Sequence, residues 1–89
     1  MSKKEIYLQR NTGKKLIGEF SNELGEQFVV MKSSKNSYYL AGDETGWKNM
    51  SLRITDLKVC DPKDASDVFI LNSEESLKLR NLLKSKGIF

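Results

Sequence analysis

Asp67-Val-Phe-Ile-Leu71 runs without a break into Asn72-Ser-Glu-Glu-Ser-Leu-Lys-Leu-Arg-Asn-Leu-Leu-Lys-Ser-Lys86-Gly87-Ile-Phe89, and the reading of this stretch decides the fold. Its first five residues, rich in β-branched and aromatic side chains, read as a strand, and residues 73–86 read as a helix. Asn72 can accept from an unpaired backbone N–H, and Glu75 three positions on completes a capping box. Leu79, Leu82 and Leu83 share one face at helical spacing, whereas Leu77 falls on the other side. Glu74 and Glu75 stand in the first turn and Lys84 and Lys86 in the last, each at the end whose dipole favours its charge. Gly87 supplies a left-handed stop, with Ile88 placed to lie on Leu83. A strand feeding a one-sided amphipathic helix requires a sheet for the helix to cover.

Residues 4–71 supply that sheet. Lys4–Arg10 alternates, with Ile6 and Leu8 on one side and Tyr7 on the other, and is expected to be a strand. Asn11-Thr-Gly13 reads as a turn and 15–20 as the returning strand, with Gly18 marking a bulge. After Asn22–Gly25 come strands at 27–32 and 37–41, then a loop from Gly42 to Gly46 carrying Trp47 and Lys48. Met50 to Val59 reads as a fifth strand whose phase shifts near Leu57, and Asp61–Ser66 as a proline-bearing linker. A spacing of about ten residues per strand is the rhythm of an antiparallel meander. The expected fold is mainly β (α+β): one domain over 1–89, a small antiparallel β-barrel or curved sheet of five to six strands with one C-terminal α-helix.

Composition excludes several classes of function. The 89 residues are 30% charged and 38% hydrophobic with one proline, the balance of a folded domain. No stretch approaches the roughly 20 apolar residues that span a bilayer, and Met1–Ile6 lacks the apolar core of a signal peptide, so a cytoplasmic (or host-cytoplasmic) location is expected. Cys60 stands alone, which fits a reducing compartment and a buried small side chain. Asn49-Met-Ser51 matches a glycosylation acceptor only by chance in such a setting. The chain has no histidine, which removes the commonest general base and most zinc chemistry. No glycine loop matches a nucleotide fingerprint, and Asp43, Glu44, Asp61, Asp64 and Asp67 lack calcium-loop spacing. The expectation is a protein without enzymatic activity, metal or cofactor.

Net charge is only +3, yet residues 1–15 hold five cations, Lys3, Lys4, Arg10, Lys14 and Lys15, against Glu5. Such an edge suits phosphate or an acidic partner, or simply keeps a sheet edge solvated. Trp47 is either an exposed stacking or anchoring group or a lid closing the core. Tyr38 and Tyr39 must point to opposite faces of their strand. One of them, beside Lys32 or Arg53, would give the aromatic and cationic surface single-stranded nucleic acid uses; cross-strand packing is the other reading.

From Ser37-Tyr-Tyr-Leu-Ala41 through Ser51-Leu-Arg-Ile-Thr-Asp-Leu-Lys-Val59 the chain resembles the core of WYL domains, with Tyr38, Tyr39 and Leu40 at the namesake positions and Arg53 at a cationic ligand position. Asp56 stands where that family would carry a second basic residue. The resemblance implies an Sm-like barrel that senses nucleic acid or nucleotides. The junction Val68–Leu79 is similar to that of the positive-cofactor and whirly type of single-strand-binding domain, which implies a curved sheet, a C-terminal helix and a possible homodimer. Pleckstrin-like domains share the barrel-plus-helix plan. The expected function is binding of single-stranded nucleic acid through Trp47, Lys48, Arg53, Tyr38, Tyr39, Lys32, Lys14 and Lys15. The alternative is a small phage-type accessory or inhibitor protein that docks on a larger protein.

Overall fold

A computed structural model describes residues 1–89. In chain order the elements are α1 (Lys3–Arg10), β1 (Lys15–Ser21), β2 (Gln27–Lys32), β3 (Tyr38–Gly42), a 3-10 turn (Asp43–Thr45), β4 (Met50–Arg53), β5 (Lys58–Asp61), β6 (Asp64–Phe69) and α2 (Ser73–Ser85). The six strands form one antiparallel sheet in sequence order. β1 and β6 are not paired with each other, so the sheet is open and curved and not a closed barrel. Phe28 in β2 nevertheless lies 6.4 Å, centroid to centroid, from Phe69 in β6, which shows how far the curvature carries the last strand round.

α2 fills the concave face. Asn72 Oδ1 accepts from Glu75 N at 2.8 Å while the Glu75 carboxylate accepts from Asn72 N at 3.0 Å, closing the capping box. At the other end Ile88 N donates to Leu83 O and Gly87 N to Lys84 O, both at 3.0 Å, around Gly87 at φ +73°. These two bonds satisfy carbonyls that the helix end leaves free. Leu79 and Leu83 are wholly buried among Phe28, Val30, Leu40, Met50, Leu52 and Val59. Each such leucine contributes roughly 1.5–3 kcal/mol by transfer from water. Gly18 marks the closest approach of helix and sheet: a Cβ there would stand 2.5 Å from Leu82 Cδ1.

The opposite face has its own cover, which the alternation at 4–10 does not foretell. Lys3–Arg10 is a helix, not a strand. Ser2 Oγ accepts from Glu5 N, and the Glu5 carboxylate accepts from Ser2 N, so the same capping box that starts α2 starts α1. The alternation over residues 4–10 does not outweigh that cap, and the helix buries Tyr7 while leaving Ile6 38% exposed. Tyr7 packs with Val29, Met31 and Ala41. β2 is therefore covered on both sides, with Phe28 and Val30 towards α2 and Val29 and Met31 towards α1.

Two further segments differ from the expectation. The fifth strand is two strands, because Leu57 at φ +58° turns the chain between β4 and β5. The supposed linker is the β5–β6 hairpin: Asp61 Oδ1 caps Lys63 N at 2.8 Å around Pro62, whose fixed φ suits a tight turn. β6 accordingly ends at Phe69, and Ile70 is 77% exposed. Cys60 is half-buried, facing away from α2. No helix is long and apolar enough to cross a membrane.

Candidate nucleic-acid interface

The β1 bulge determines which lysines share a surface. Register shifts between Leu16 and Gly18, so Lys15 pairs with Lys32 on the α2 side while Leu16 pairs with Met31 on the α1 side. Lys32 in turn lies opposite Tyr38 in β3, with its Nζ 5.6 Å from the centre of the tyrosine ring. Lys86 and Ile88 enter from the end of α2 to complete a cleft of about 280 Å³, lined also by Leu16 and Ile17. No carboxylate lines this cleft. The ion pairs of the molecule are Lys4 with Glu19, Lys48 with Asp61 and Arg53 with Asp56, so Lys15, Lys32 and Lys86 are all unpaired. Two like charges directly opposite on neighbouring strands weaken a sheet. An anion seated between them would relieve that repulsion, and the half-exposed Tyr38 ring beside it offers a stacking face.

Lys48 and Arg53 are engaged elsewhere. Lys48 Nζ is bound to the Asp61 carboxylate, which this hydrogen bond and that from Lys63 N hold below its usual pKa. Arg53 forms a two-pronged pair with Asp56 at 2.8 and 2.5 Å, and its hydrogen bond drives the Asp56 carboxyl down to about 2. Neither cation lines the Tyr38–Lys86 cleft. Arg53 borders a shallower cleft with Tyr38 and Ile54, its guanidinium already neutralised.

Lys14, Tyr39 and Trp47 stand on the α1 side. Lys14 Nζ lies 5.4 Å from the centre of the Tyr39 ring. Trp47 follows Gly46, and both are left-handed at φ +60° and +64°. That backbone costs a bulky residue about 1–3 kcal/mol and is held by side chains. Trp47 Nε1 donates to Asp43 Oδ1 at 3.1 Å, and Asp43 Oδ2 accepts from Gln27 N at 2.8 Å. One side of the indole rests on Tyr7 at 5.6 Å, tilted by 45°. Tyr7 donates its hydroxyl proton to Asn49 Oδ1, and burial pushes its pKa up to about 12. Asn49 Nδ2 donates to Asn11 Oδ1 and Asn11 Nδ2 to Tyr7 O, tying the end of α1 to the Trp47 loop. Trp47 is thus half-buried, and it covers the outer face of the sheet, not a barrel mouth. Beside it opens a cleft of about 230 Å³ lined by Lys3, Ile6, Tyr7, Arg10, Gly46 and Trp47.

The structure therefore divides the expected site into three parts: Lys15, Lys32 and Tyr38 on one face, Lys14, Tyr39 and Trp47 on the other, and Lys48 and Arg53 in ion pairs. Lys86, read from sequence only as a helix-end charge, joins the first group. Tyr7 and Arg10 join the second, and the Ser2-to-Glu5 capping pattern is the signal that would have placed them on a helix.

A third polar cluster sits at the start of α2. Asn22 Nδ2 lies 2.9 Å from carboxylate oxygens of Glu26, Glu44 and Glu75. Desolvation by burial, followed by its hydrogen bond to Glu75, raises the Glu44 carboxyl to about 7. Burial opposes ionisation of Glu75 too, but bonds from Asn22 and Asn72 outweigh it and lower its pKa. This cluster joins the β1–β2 turn, the 3-10 turn and α2.

No known protein family, curated protein sequence or solved structure matches the chain.

Proposed function

We propose that the protein is a non-enzymatic binding module for single-stranded nucleic acid. The observation that carries this reading is the convergence of three unpaired lysines, Lys15, Lys32 and Lys86, on a cleft walled by Tyr38 and free of carboxylates. A phosphate meets the ammonium groups and a base lies on the tyrosine, where stacking is worth about 1–3 kcal/mol per base and tolerates any sequence. The test is fluorescence anisotropy of a labelled oligonucleotide across a salt series. Three phosphate contacts give a slope of log affinity on log salt of about −2, and Lys32→Gln makes it shallower by about 0.7. Affinity that does not vary with salt, or no binding at low salt, would refute the reading.

The second reading, an accessory or inhibitor protein docking on a larger protein, is favoured by apolar side chains left in water: Leu24 at 84% and Leu77 at 57% exposure, with Ile70 beyond the open β6 edge. One stoichiometric protein partner retained through nuclease treatment in a pull-down is its expected signature.

A further inference from the structure

We infer that a single strand seated in the Tyr38 cleft continues over the β1 edge of the sheet onto the α1 face, where Lys14, Tyr39, Trp47 and Arg10 form a second subsite. This inference rests on the nucleic-acid reading of the Tyr38 cleft. β1 is the first strand of the sheet and pairs only with β2, so no strand lies outside it. The bulge puts Lys15 on the α2 side, and Lys14, its immediate neighbour, reaches the opposite side over Tyr39. Two consecutive cations thus straddle the edge and serve successive phosphates.

On the far side Tyr39 and Trp47 pack on one apolar cluster, each half-buried. The Trp47 cleft adds Arg10 and Lys3, both exposed and outside every ion pair. Of the nearby carboxylates, Glu19 is paired with Lys4, Asp43 receives the indole N–H, and Glu5 caps α1. The route from Lys86 and Tyr38 through Lys15 and Lys14 to Trp47 therefore offers a cation or an aromatic ring at each step, with Asp43, turned to the indole N–H, and Glu5, turned to Ser2, as the carboxylates beside it that no cation pairs. The left-handed backbone at Trp47, held through Asp43, fixes the indole beside Arg10 and so presents a base-sized face next to a phosphate-binding charge.

Trp47 is the only tryptophan, so its emission reports this subsite alone. Oligothymidylates of about 4 and about 12 nucleotides, lengths within the range a small β-domain holds, are titrated with two readouts: anisotropy of an end label for binding, and Trp47 emission for the second subsite. Both are expected to bind, and Lys32→Gln weakens both. Only the longer one changes Trp47 emission, and the exposed-site variant Arg10→Gln weakens only the longer one and makes its slope of log affinity on log salt shallower by about 0.7. Binding of the longer oligonucleotide with unchanged Trp47 emission and no effect of Arg10→Gln would overturn the inference while leaving the Tyr38 site standing. Equal Trp47 changes with both lengths, insensitive to Lys32→Gln, would make the two faces independent and overturn the continuous path. Absence of binding at either length removes the first reading and this one with it.

Discussion

Glu44 stands exposed at the rim of the Asn22 cluster with its pKa raised to about 7, so its ionisation bears on stability near neutral pH to an extent that solvent screening reduces. Asn22 has two amide protons to offer three carboxylate oxygens at 2.9 Å, so the cluster is short of protons. Glu44 makes up the deficit by keeping its own, at a pKa of about 7 against an ordinary 4.5. The folded state then holds a proton that the unfolded chain releases, and stability from this group falls as pH rises from about 4.5 through about 7. Glu75, with its pKa lowered, acts in the opposite sense, and its contribution is lost as pH drops below its ordinary value. Glu44→Gln supplies the donor without the charge. Urea midpoints at pH 5.5 and 8 should differ less for the variant than for the parent, with the variant the more stable at pH 8. A parent protein with equal midpoints at the two pH values would remove the shared proton.

The two helices show what is and is not legible at the scale of an element. α2 can be read from sequence because everything that defines it is local: Asn72 and Glu75 at one end, Gly87 and Ile88 at the other, and a leucine face between. α1 has the same start in Ser2 and Glu5, yet Ile6, Tyr7 and Leu8 satisfy a strand alternation equally well. What decides is that Tyr7 finds Val29, Met31 and Ala41, a contact between residues more than twenty apart. The site obeys the same rule. Tyr38, Lys32 and Lys15 are readable as residue types, but the bulge in β1 sets the face they occupy. The capture of Lys48 by Asp61 depends on register across β4 and β5. Two measurements separate the helices. Leu79→Ala should cost about 2–5 kcal/mol, because a wholly buried leucine leaves a cavity under the sheet; a loss below about 0.5 kcal/mol would contradict the docking of α2. Ser2→Ala should cost only about 1 kcal/mol but loosen α1 locally, so Trp47 emission should shift at temperatures where far-ultraviolet circular dichroism is still native.

Across the whole molecule four unpaired cations cluster at one edge of the sheet. Lys14, Lys15, Lys32 and Lys86 gather by β1, whereas β5 and β6 carry both signs, Asp61, Asp64 and Asp67 beside Lys58 and Lys63. A net charge of +3 therefore understates the field at the basic edge, and attraction of a polyanion by net charge can be distinguished from binding at defined contacts. Counterion release depends on how many phosphates are neutralised in the complex, not on the total charge of the protein. Replacing Asp64 and Asp67 by lysine raises the net charge by four at the edge remote from the cleft. If the lysines around Tyr38 are the contacts, that double variant should associate faster with an oligonucleotide at low salt, yet keep the parent's slope of log affinity on log salt. Lys32→Gln, which changes the net charge by only one, should make the slope shallower by about 0.7. Stopped-flow association rates and anisotropy titrations over the same salt series measure both quantities. A slope that followed net charge instead, steeper in the double variant and almost unmoved by Lys32→Gln, would mean that the binding is non-local and that the Tyr38 cleft is not its site.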